Sequence, residues 1–61
     1  MKFKEYNNYF LFLESDEEDN TYFVSIYDKD KNQIDYTGNH RDPERAYGEA
    51  KNMIDKWDQK D

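Results

Sequence analysis

The chain contains no cysteine, which excludes a disulfide framework and any thiolate metal site. A single histidine, His40, leaves too few ligands for zinc. No apolar stretch reaches the length of a signal peptide or a membrane span, the longest run being Tyr9 to Leu13. These absences matter because 61 residues make a single small domain, spanning 1–61. A domain of that size buries only about 60% of the surface its unfolded chain exposes. Such domains commonly lean on disulfides, a metal or oligomerisation, and here oligomerisation or partner binding is the support that remains. A soluble cytoplasmic protein without cofactor or membrane partner is expected, in keeping with cysteine-free chains of reducing compartments. Arginine occurs only twice among frequent Lys, Asn, Tyr and Asp, as expected of a low-GC bacterial or phage genome.

What is present is acid, unevenly placed. The formal charge is −6, and Glu14, Asp16, Glu17, Glu18 and Asp19 follow one another with no base among them. Outside that run, ten acids face nine bases, so nearly the whole imbalance sits in one segment. An acidic chain is poorly suited to phosphate backbones, which need Lys or Arg. It is better suited to a basic protein, where charge complementarity chiefly raises the on-rate.

Periodicity predicts three strands and a helix. Tyr9–Glu14 reads as the first main strand and Thr21–Tyr27 as the second, dense in aromatic and β-branched residues. Gln33–Thr37 reads as a short third strand that Gly38 ends. Before them, Met1–Tyr6 alternates weakly, as a short strand or a leader would. Asn7-Asn8 suits a tight turn because asparagine tolerates positive φ. Asp42 is a good N-cap and Pro43 fits the first helical position, where its missing N–H costs nothing. Ala46, Tyr47, Ala50, Met53, Ile54 and Trp57 then fall within about a third of a helical circumference, an apolar stripe facing a core. The helix is expected to end near Trp57 or Asp58 and to fray beyond. Gly48 interrupts its polar side, as a tolerated surface residue or a point of close approach. The expected fold class is α+β, a three-stranded antiparallel sheet in β-β-β-α order with the C-terminal amphipathic helix on one face.

The strands are apolar on both faces, and one helix covers only one of them. Successive strand residues point to opposite sides. Leu11, Leu13, Tyr22, Val24, Ile26, Ile34 and Tyr36 are expected under the helix. That leaves Phe10, Phe12, Phe23 and Tyr27 on the far face. Covering a Phe side chain contributes roughly 1.5–3 kcal/mol, which is large for so small a domain. Either the N-terminal segment and lysine stems shield this face, or a second molecule does, and a homodimer or partner surface is expected.

Constellations with chemical potential give no catalytic pattern. Asp28, Asp30 and Asn32 open like a calcium loop, but Gln33 stands where glycine must turn and Asn39 where a bidentate glutamate belongs. His40-Arg41-Asp42 spells a kinase triplet without the rest of a kinase. Ser15 and Ser25 have no neighbouring base to activate them. Aromatics on a sheet can stack single-stranded RNA, but such platforms are ringed by basic residues. No direct nucleic-acid contact is expected, and the chain reads as non-enzymatic.

From Tyr9 to Trp57 the pattern resembles the N-terminal domain of the HicB antitoxin family. The resemblance rests on the hydrophobic strand, the acidic turn Glu14–Asp19, the strand Tyr22-Phe23-Val24-Ser25-Ile26, a short strand ending at Thr37-Gly38, and a helix carrying Glu44, Ala46, Ala50 and Ile54. In place of the family's Pro-Asp-Leu-Pro-Gly segment stands Asp28-Lys29-Asp30-Lys31-Asn32. The DNA-binding domain of full-length members has no counterpart, so operator binding is not implied. The resemblance implies dimerisation and neutralisation of a small basic ribonuclease.

The function expected from these features is that of an acidic interaction module inhibiting a basic nucleic-acid-handling protein. Glu14, Asp16, Glu17, Glu18 and Asp19 would contact that partner, while Phe10, Phe12, Phe23 and Tyr27 would supply an interface. Two alternatives stand beside it. One is a phage-encoded nucleic-acid mimic of anti-CRISPR type, directed at a host nuclease. The other is a structural accessory subunit.

Overall fold

Four non-glycine residues with positive φ mark the turns that shape the sheet: Asn7, Asn8, Asn20 and Lys31. In a computed structural model describing residues 3–58, these turns join four strands. They are β1 (Phe3–Tyr6), β2 (Tyr9–Asp16), β3 (Thr21–Tyr27) and β4 (Gln33–Tyr36), followed by the helix α1 (Pro43–Asp58). Asn7 and Asn8 both lie in the left-handed region, at φ 49° and 73°, as a two-residue type I′ hairpin requires. Asp28 accepts the N–H groups of Asp30 and Asn32 on its Oδ1, both at 2.9 Å. The would-be calcium ligand is therefore a turn-forming side chain.

The sheet is an antiparallel meander in the order β1-β2-β3-β4. The three-stranded expectation is thus corrected by one strand. β1 pairs with β2 through Phe3↔Phe12 and Tyr6↔Tyr9. It lies beside the sheet rather than over its far face, and it adds Phe3 to that face. Met1, part of the same expected segment, lies outside the described residues, as do positions 59–61, where fraying was expected. β2 also runs further than expected, to Asp16, so Glu14 and Asp16 are strand residues and only 17–20 form the turn.

A second correction concerns β4. Ile34 and Tyr36 are not under the helix; they are 45% and 63% exposed. The cause is a bulge. Tyr27 pairs with Gln33, but Ile26 pairs with Asp35 and Ser25 with Tyr36. Ile34 is the extra residue, and one extra residue turns everything after it to the opposite face.

The helix follows its sequence signals. Glu44 N–H donates to Asp42 Oδ1 at 3.0 Å, and the Asp42 carbonyl accepts from Arg45 and Ala46. Ala46, Ala50 and Ile54 are fully buried against Leu11, Val24 and Ile26, with Leu13, Tyr47, Met53 and Trp57 packed around them. Amphipathic side chains close the rim. Tyr6 donates its hydroxyl to Asp55 at 2.9 Å, Lys4 Nζ sits 4.4 Å from the Tyr47 ring centroid, and Tyr9 meets Trp57 edge-on. Because the Tyr6 phenol donates to Asp55 and loses some solvent, its pKa is raised above the ordinary tyrosine value.

Past β4 the chain keeps pairing with β3. Thr37 is buried, accepts the Val24 N–H on Oγ1 at 3.0 Å and donates to the Gly38 carbonyl at 2.8 Å. His40 then exchanges both backbone hydrogen bonds with Tyr22, and its Nε2 lies 2.6 Å from Glu49 Oε1 on the helix.

Gly48 has nothing within 4 Å of the position its Cβ would take, and its φ is not positive. Gly48→Ala is therefore expected to stabilise the domain by about 1 kcal/mol. A thermal melt should read this as a rise of about 4–8 °C.

Candidate functional site

The face opposite the helix is set by the strand registers. Reading across the sheet, Phe10 lies beside Tyr27, Phe12 stands between Phe3 and Ser25, and Ser25 adjoins Tyr36. Towards the 17–20 turn, Glu14 lies opposite Phe23 and Asp16 opposite Thr21. The four aromatic residues expected on the far face, Phe10, Phe12, Phe23 and Tyr27, are therefore brought together there. Rings touch along its length: Phe3 stacks on Phe12 at 5.6 Å and meets Phe10 edge-on at 5.2 Å. Phe12 leans on Tyr27 at 5.2 Å, and Phe23 meets Tyr36 edge-on at 6.5 Å.

A groove of about 460 Å³ opens on this face, lined by Phe3, Phe10, Phe12, Tyr27 and Lys31. Lys31 is its one charged lining residue, and it has no ion-pair partner among the described residues. The groove uses two residues the sequence reading did not place on the face. Phe3 belongs to a segment whose alternation was weak. Lys31 reaches the face only because its left-handed backbone, φ 68°, closes the β3–β4 turn. Tyr36 joins through the bulge, for which the sequence carries no signal.

The five acids divide into two kinds. Glu14 is half-buried on the open face, where its Oε2 accepts the Ser25 hydroxyl at 3.2 Å. Asp16 accepts the Glu18 N–H on Oδ1 at 3.2 Å, with Asn39 Nδ2 3.5 Å from its other oxygen. Glu17, Glu18 and Asp19 are exposed at the hairpin tip. The tip therefore presents three solvated carboxylates, while the other two acids help hold the hairpin. Ser25 is 1% exposed beneath its neighbours, so its bond to Glu14 secures packing and offers no accessible nucleophile.

A second cleft, of about 570 Å³, lies at the opposite end of the sheet between the turns. It is lined by Asn7, Asn8, Tyr9, Asp28, Lys29, Asp30 and Asp58. Among the described residues no group of three or more His, Cys, Asp or Glu side chains is arranged to hold a metal ion. No described helix is long and apolar enough to cross a membrane. Comparison with protein-family models, curated proteins and solved structures finds no match for the chain.

Proposed function

We propose that this chain is a non-enzymatic, cytoplasmic interaction module that binds and inhibits a basic nucleic-acid-handling protein, in the manner of an antitoxin. The observation that carries the reading is the acidic hairpin tip, Glu17-Glu18-Asp19, set at one end of a sheet face rich in aromatic side chains. A hairpin anchored by β1, β3 and the helix presents those carboxylates on a fixed base. Charge of this kind steers a basic partner and suppresses acidic ones. The confinement of the acid to one end favours plugging a compact basic site over imitating an extended phosphate backbone. The reading assigns no direct nucleic-acid contact and no membrane contact.

The test pairs wild type with Glu17→Gln/Glu18→Gln/Asp19→Asn in a pull-down from a lysate of the source cells. Wild type is expected to retain a basic protein and to suppress its action on nucleic acid. The variant should associate roughly tenfold or more slowly at low salt, the difference shrinking as salt is added. Retention of no basic protein, or equal association by both chains, would defeat the reading.

A further inference from the structure

We propose that the open face receives one amphipathic helix of the basic partner, laid along the strands with its N-terminal turn over Glu14. An arginine of that turn forks onto the Glu14 carboxylate. The inference rests on the inhibitory reading and names the part of the partner that this face fits. The kind of element follows from the backbone. β1 and β4 are only four residues long, and β1 carries Lys4 and Glu5. In β4 the Tyr36 N–H is already taken by Asp35 Oδ1 at 2.8 Å. Short, charged, self-bonded edges offer little to an added strand. Over the face itself the strand backbones are paired with one another, so an occupant must satisfy its own N–H and C=O groups. A helix does so, and its dimensions match. Four strands at about 4.8 Å spacing are about 14 Å across, and the seven residues of β3 extend about 23 Å. That is room for one helix of about 10–12 Å diameter and about 15 residues. On the opposite face the 16-residue α1 already packs in this way.

Charge sets the direction. Glu14 and Asp16 lie on the face at one end, with Glu17, Glu18 and Asp19 just beyond in the turn. At the other end Glu5, beside Phe10, and Lys31, at the groove, carry opposite charges. A helix N-terminus bears partial positive charge and favours the wholly acidic end. Glu14 is its contact there. Glu14 Oε2 accepts the Ser25 hydroxyl, but no cation pairs with this carboxylate among the described residues. Phe23 lies directly across from it, and Phe12 stands two residues before it on the same face. A carboxylate between rings suits arginine over lysine, because a guanidinium stacks on an aromatic face while its N–H groups fork to an acid. Along β2 from Glu14, the groove residues Phe12 and Phe10 follow at about 7 and 13 Å. One and two helical turns advance about 5.4 and 11 Å. Apolar side chains roughly four and eight residues after the arginine therefore reach the groove.

The test uses two synthetic helices of about 15 residues, acetylated, amidated and held helical by a lactam bridge on the polar side. Both have one composition. The first carries arginines in its opening turn and leucines at the spacing given above; the second carries the same residues in reverse order. By fluorescence anisotropy of the labelled peptides, the first is expected to bind about tenfold tighter than the second. Glu14→Gln keeps an acceptor for the Ser25 hydroxyl and so the local packing. It should weaken the first peptide about tenfold and leave the second nearly unchanged. Replacing the arginines of the first peptide by lysines should weaken it about threefold or more. Phe3→Ala, at a residue 52% exposed, should fold normally and weaken both peptides. Binding by neither peptide, equal binding in both orders, or indifference to both substitutions would overturn the proposal. The pull-down decides the inhibitory reading separately. A basic protein retained there through the acidic tip, with both peptides failing, would overturn the helix placement alone.

Discussion

Ile54→Ala is expected to leave much of the chain unfolded in water at room temperature. Ile54 is fully buried, and it is the largest of the three buried helix residues that meet Leu11, Val24 and Ile26. Truncating such a side chain costs about 2–5 kcal/mol, as lost transfer energy plus the cavity left behind. A domain of 61 residues holds only about 3–9 kcal/mol in total. Little can collapse into the gap, because the neighbours along the stripe, Ala46 and Ala50, have no side chain to extend. Trp57, edge-on to Tyr9 at 5.5 Å, is a convenient reporter. Its fluorescence in a urea titration should show the midpoint moving close to zero denaturant, whereas Ile54→Val should lose only about 0.5–1.5 kcal/mol. Near-wild-type stability of the alanine variant would mean that the helix is not the keystone of this core.

Thr37→Val should lower the melting temperature by about 5–20 °C, although it preserves shape. The Thr37 hydroxyl, rather than a backbone carbonyl, takes the Val24 N–H, while the Thr37 N–H donates to the Val24 carbonyl at 2.9 Å; Thr37 is only 2% exposed. Without Oγ1 that buried N–H has no partner, a loss of about 1–3 kcal/mol. Thr37→Ser keeps the oxygen and should lose far less. Hydrogen exchange at the Val24 amide adds a local check. It should accelerate in the valine variant beyond what the global loss accounts for, and unchanged protection there would refute the role given to the hydroxyl.

Elements governed by local rules were legible in the sequence, and those governed by pairing geometry were not. Asp42 and Pro43 announced the helix start, and the stripe from Ala46 to Trp57 gave its buried face. Asn7-Asn8 announced a turn with two left-handed residues. The two-sided apolar character of Tyr9–Leu13 foretold an open face holding Phe10, Phe12, Phe23 and Tyr27. The placement of Ile34 and Tyr36 failed for a definable reason. Without the bulge, the Tyr27↔Gln33 pair would have set Ile34 opposite Ile26 and Tyr36 opposite Val24, as their alternation suggests. The extra residue reversed both, and put Asp35 beside Ile26 instead. β1 stayed ambiguous because Lys4 and Glu5 give it little apolar pattern, and what holds it is Phe3 stacking on Phe12 of the next strand and Tyr6 reaching Asp55 on the helix. The acidic run read as one unit, but tertiary contacts divided it. Ser25 and Asn39 hold Glu14 and Asp16, leaving the last three acids free.

The meander has a consequence for how the chain is made. Every strand pairs with the one just before it, across connections of two, four and five residues. Such loops close at little entropic cost, so the pairings within the sheet are local and it can zip up hairpin by hairpin. The helix that seals the core follows all four strands in the chain. During synthesis the sheet is therefore bare on both sides until the ribosome has delivered the segment from Pro43 onward, and in that interval the nascent chain is most exposed to aggregation.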